Sequence, residues 1–91
     1  MLYSVQRLCE QRTAVVLVER RDLAEPRATC LIQHLQDELS APVMLVARDS
    51  EAWIGARARA DFDPEPFLYA LLGLRDIDWA PLRHSCEMLR D

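Results

Sequence analysis

A chain of 91 residues that is 51% hydrophobic and 29% charged has room for one small globular domain, 1–91, and no second core. Two glycines exclude collagen-like and low-complexity character, and the apolar content excludes a disordered chain. The net charge of −4 disfavours general nucleic-acid binding, in which contacts to phosphate dominate the affinity.

The charge is unevenly spread. Residues 61–91 carry three Arg against seven acids, whereas 41–60 carry three Arg against two acids. No uncharged run approaches the roughly 20 residues of a membrane span, and no basic start leads into an apolar leader. The expected compartment is therefore the cytoplasm. Cys9, Cys30 and Cys86 are odd in number and widely spaced, unlike an oxidised secreted scaffold. With no C-x-x-C there is neither a dithiol centre nor a zinc knuckle, and free thiols of this kind are expected as small buried hydrophobes.

Tyr3 to Cys9 fits both a weakly alternating strand and a short helix with Val5, Leu8 and Cys9 on one side. An edge strand is favoured, turning through Glu10, Gln11 and Arg12 into its neighbour. Thr13 to Glu19 is the clearest strand, because Val15, Val16, Leu17 and Val18 leave no polar side to show to water. A helix is expected after Pro26, with Ala28, Leu31, Ile32, Leu35 and Leu39 as its apolar stripe and Ser40 and Pro42 at its end.

Pro42 to Ala47 reads as a second buried strand, and Arg48 to Glu51 as a polar turn. Strict alternation from Ala52 to Ala60 then predicts a strand. It turns Trp53, Gly55, Arg57 and Arg59 one way and Ala52, Ile54, Ala56, Ala58 and Ala60 the other. Asp63, Pro64 and Glu65 suit the start of a helix that buries Phe67, Leu68, Leu71 and Leu72 and stops at Gly73. From Asp78, the spacing of Trp79, Leu82, Cys86 and Leu89 predicts a last amphipathic helix.

The expected fold is a small α/β (α+β) domain. Its mixed sheet has three or four strands and contains a β-α-β crossover and a β-hairpin, followed by two C-terminal helices. From Ala41 onward, the order Pro42, strand, polar turn, antiparallel strand and amphipathic helix resembles the C-terminal half of a thioredoxin-like domain. That resemblance implies a cis peptide bond at Pro42. The family's Cys pair is absent, since the preceding helix starts Glu25-Pro26-Arg27-Ala28 with Cys30 a turn further in. The resemblance therefore carries fold and not dithiol chemistry.

Little else in the sequence carries chemistry. Asp61, Asp63 and Glu65 are explained as helix-start acids and do not supply the oxygen ligands of a calcium loop. His34 and His84 read as surface or rim residues, without the nucleophile and orienter that base catalysis needs. No Gly-rich phosphate loop exists. No cofactor, metal site or catalytic residue is expected.

The residues that stand out are Trp53, Arg57 and Arg59 on one strand face, with Trp79 on the last helix. Arg and Trp are enriched at protein interfaces. The same residues, with Arg48, could serve single-stranded nucleic acid, or simply guard an edge strand. Trp53, Trp79, Phe62, Phe67, Tyr69 and Met88 are more large apolar residues than the centre of so small a core accommodates. The expected function is a non-catalytic interaction module, a subunit, adaptor or inhibitor that binds another protein or itself as a homodimer. The alternatives are a nucleic-acid-associated regulator and a degenerate thioredoxin-like protein with Cys30 as a single thiol.

Overall fold

The computed structural model describes residues 1–48, 53, 55–74 and 76–82. The α/β expectation holds, and the sheet has one strand more than the largest number expected. β1 (Leu2–Leu8) and β2 (Gln11–Leu17) form an antiparallel hairpin in which Leu2 faces Leu17 and Leu8 faces Gln11. The turn is Cys9–Glu10, one residue earlier than the polar run suggested, and Gln11 and Arg12 belong to β2. Both turn residues have positive φ, +50° and +63°. That is the type I′ geometry whose twist matches a two-residue hairpin. Polarity marks turns only loosely; here the strand register decided.

From β2 the chain passes through a short 3₁₀ turn, Arg20–Leu23, into α1 (Arg27–Leu39) and returns as β3 (Val43–Ala47), parallel to β2. The helix ends at Ser40, whose left-handed backbone (φ +52°) turns the chain toward Pro42. β4 (Arg57–Arg59) runs antiparallel to β3, and α2 (Glu65–Leu72) follows. β5 (Ala80–Pro81) pairs with β1, which completes the order β4-β3-β2-β1-β5.

The sheet is covered on both faces, because the strand period of two splits each apolar run between them. Ala14, Val16, Val43 and Leu45 are buried against Ala28, Leu31, Ile32 and Leu35 of α1. On the opposite face Val15, Met44 and Val46 pack with Leu8 and with Leu71 of α2. This is why β2 and β3 show no polar alternation. Among the described residues no helix is long and apolar enough to cross a membrane.

Several expectations need correction. Of the predicted strand Ala52 to Ala60, positions 52 and 54 lie outside the described residues, and among the described ones only Arg57–Arg59 is regular. Asp78 to Leu82 contains no helix, and the remainder of the expected helix, 83–91, lies outside the described residues. Pro81 sits on an edge strand, where its missing N–H is tolerated. Ile77 and Trp79 pack on the α2 face and Leu82 on the α1 face, which is strand parity. Leu72, expected in the core, is 45% exposed. Cys9 and Cys30 are exposed, not buried. The cis peptide bond is Glu25–Pro26, whereas the thioredoxin-like resemblance implied one at Pro42.

Candidate interaction surface

β4 is the outermost strand on its side of the sheet and hydrogen-bonds only to β3 among the described residues. Arg59 lies opposite Leu45, Ala58 opposite Val46 and Arg57 opposite Ala47. Leu45 belongs to the cluster under α1 and Val46 to the cluster under α2. The two arginines therefore emerge on the α1 side and Ala58 on the α2 side, as alternation predicts.

The two arginines differ in partners. Arg59 Nη2 lies 3.3 Å from Glu25 Oε2, with both side chains close to half exposed. Glu25 also accepts hydrogen bonds from the Thr29 amide and the Thr29 hydroxyl. The Thr29 hydroxyl, and next the Thr29 amide, hold the Glu25 carboxyl below its ordinary value; partial desolvation opposes this, and Arg59 adds a further lowering. Arg57 is exposed and makes no ion pair among the described residues.

Trp53 does not share this face. It packs against the cluster on the α2 side, as Ala56 and Ala58 do, and pairs there with the Trp79 ring. The break in parity falls at Gly55, whose φ of +76° belongs to a turn closed by the Ala56 amide donating to the Trp53 carbonyl. The Arg48 guanidinium carbon stands 4.3 Å from the Trp53 ring centroid and 5.7 Å from that of Trp79. The expected group thus divides in two: Arg57 and Arg59 on the α1 side, and Trp53 with Trp79 and Arg48 on the other. The single Arg/Trp face assumed for stacking nucleic-acid bases is not assembled.

Beside β4 lies a groove of about 380 Å³, lined by Arg57 and Ala58 of the strand with Ala56 before it, and by Glu65 and Leu68 of α2 with its N-cap Pro64. The Glu65 amide donates to Asp63 Oδ1, so Asp63 tethers the start of this helix from one residue before the N-cap, which is Pro64 and not Asp63 as the sequence suggested. On α2 itself, Tyr69 is 75% exposed and Leu72 45% exposed. They lie three residues apart, on one outward face. Sequence reading left Tyr69 off the buried stripe but placed Leu72 in it, because in the almost wholly apolar run Phe67 to Leu72 little marks where the stripe ends.

Elsewhere, Asp22 is buried, accepts from Arg27 Nε at 2.6 Å and from the Glu19 amide at 3.0 Å, and so joins the 3₁₀ turn to α1. His34 is half buried, as a rim residue is, and its Nε2 is enclosed without a hydrogen-bond partner among the described residues. No group of three or more His, Cys, Asp or Glu able to hold a metal ion occurs among the described residues. His84 and Cys86 lie outside them. No family model, curated protein or solved structure matches the chain.

Proposed function

We propose that this chain is a small non-catalytic protein-interaction module of the cytoplasm, a subunit, adaptor or inhibitor that docks on another protein or on a second copy of itself. The observation that carries the reading is the outer face of α2. The inner side of this eight-residue helix packs Leu71 into the core, while Tyr69 and Leu72 stand in solvent. Tyr is a residue type enriched at interfaces, since its ring buries a large area and its hydroxyl keeps a polar end. The exposed free thiols of Cys9 and Cys30 suit a reducing compartment.

The test is photo-crosslinking in cells from a benzoylphenylalanine placed at position 69. A discrete adduct, either with one other protein or with a second copy, is expected, and Leu72→Glu should abolish it. Only a background smear, unchanged by Leu72→Glu, would refute the reading.

A further inference from the structure

We propose that the outer edge of β4 receives an extended strand from a partner protein, with small apolar side chains at alternate positions and a carboxylate between them. This extends the reading of the chain as an interaction module, on which it rests, from α2 to the edge of the sheet. The outer side of β4 has no strand partner among the described residues. An unpaired strand edge is a template for main-chain hydrogen bonds, and side-chain pockets on either side then choose the sequence.

The two sides of this edge choose different residues. A strand added to β4 continues the pleat, so its side chains alternate between the α2 side and the α1 side. On the α2 side they meet the groove of about 380 Å³, whose walls include Ala56, Ala58, Pro64 and Leu68 together with the polar Arg57 and Glu65. The apolar part of those walls takes small apolar side chains, and Glu65 disfavours an acid on this side. On the α1 side the added strand meets Arg57, an exposed guanidinium without an acid partner among the described residues, whereas Arg59 already has Glu25. A carboxylate opposite Arg57 completes that charge with a bidentate hydrogen-bonding geometry. The net charge of −4 opposes a polyacidic partner, so one acid is specified and not a run.

A second copy of the chain is the wrong occupant. Antiparallel pairing of two β4 strands about Ala58 sets Arg57 of each copy against Arg59 of the other, and like charges directly opposite are destabilising. The same arginines that guard a short edge against self-pairing select a partner strand that carries an acid.

The experiment titrates the ¹⁵N-labelled 91-residue chain with the capped peptide Thr-Val-Glu-Val-Thr, with its Glu-to-Lys counterpart, and with a version N-methylated at both valines. Amide shifts concentrated on residues 56–60 are expected with the first peptide, at least about tenfold weaker binding with the second, and none with the third. Arg57→Gln should remove the preference for Glu over Lys, and Arg57→Glu should invert it, with circular dichroism verifying the fold of each. Equal affinity for the Glu and Lys peptides, unaltered binding after N-methylation, shifts centred on Tyr69 and Leu72, or self-association through β4 would each overturn the proposal, as would the absence of saturable shifts at millimolar peptide. If any of these occurs while the crosslink from position 69 persists, the interaction module stands and only its strand-binding edge is lost.

Discussion

The rings of Trp53 and Trp79 lie 6.2 Å apart at a tilt of 39°, and the guanidinium of Arg48 sits against both. Trp79 leads into β5 at one edge of the sheet, and Trp53 precedes β4 at the other. The pair therefore closes the α2 face between segments far apart in sequence.

Arg48→Ala should cost about 0.5–2 kcal/mol, the range for an Arg held over an indole face that is partly shielded from water. Tryptophan emission should shift to the red as the rings gain water. Urea unfolding followed by fluorescence and by circular dichroism checks both. An unchanged emission maximum together with unchanged stability would mean that the rings hold each other without the cation.

Replacing Cys9-Glu10 by Asn-Gly should stabilise the protein. Cys9 and Glu10 both occupy the left-handed region, which side chains with a Cβ enter at a cost and Asn-Gly enters readily. A gain of about 1 kcal/mol is expected, which for a domain of this size raises Tm by roughly 4–8 °C. Cys9→Val should lower Tm instead, because β-branching is least compatible with positive φ. Thermal melts of the two variants decide the matter, and a Val variant as stable as the wild type would exclude a type I′ turn.

What could be read from the sequence followed the length of its periodic runs. β2, α1 and β3 were legible because TAVVLV and PVMLVA admit few arrangements other than burial on both faces, and because the stripe from Ala28 to Leu39 has one period. The outward direction of Arg57 and Arg59 was legible from alternation. The same alternation misplaced Trp53, because it runs unbroken through Gly55 in sequence whereas the backbone turns there. Trp79 and Leu82 were read at helical spacing; they flank an edge strand, β5, whose neighbour, β1, lies more than seventy positions earlier (Tyr3 opposite Ala80). The outward Tyr69 followed from the stripe Phe67, Leu68, Leu71 and Leu72, which omits it; neither the groove nor the exposure of Leu72 was legible, since both depend on how α2 settles against β4.

Leu35→Ala should destabilise by roughly 2–5 kcal/mol, the cost of an unfilled cavity in a packed core. Leu35 is fully buried in the cluster formed by α1 with β2 and β3. A loss below about 1 kcal/mol in denaturant unfolding would require the surrounding side chains to collapse into the space.

Asp22→Ala should cost about 1–3 kcal/mol, because the Arg27 guanidinium and the Glu19 amide both lose their acceptor in a part-buried setting. Arg27→Met keeps much of the aliphatic stem and should cost less than a variant that also removes it. Unfolding curves of Asp22→Ala, Arg27→Met and the double variant give the coupling between the two residues. Strict additivity would show that the pair contributes no interaction energy.

Glu25 supplies the pH dependence of the contact between α1 and β4. Its carboxyl is held below the ordinary glutamate value, first by the Thr29 hydroxyl, then by the Thr29 amide, with Arg59 adding to the lowering. The folded state thus binds this proton less readily than the unfolded chain does. The associated stabilisation is complete above the unfolded pKa and is lost as the pH falls through the lowered folded value. Acidification should release Arg59 and free the Thr29 hydroxyl together. Carbon-detected NMR titration of the Glu25 carboxyl should show its pKa rising in both Thr29→Ala and Arg59→Ala, and rising more in Thr29→Ala, because the hydroxyl is the larger cause. A larger rise in Arg59→Ala would make the ion pair the principal restraint. No rise in either variant would mean that Glu25 is solvated in solution and that β4 is not tied to α1 through this side chain.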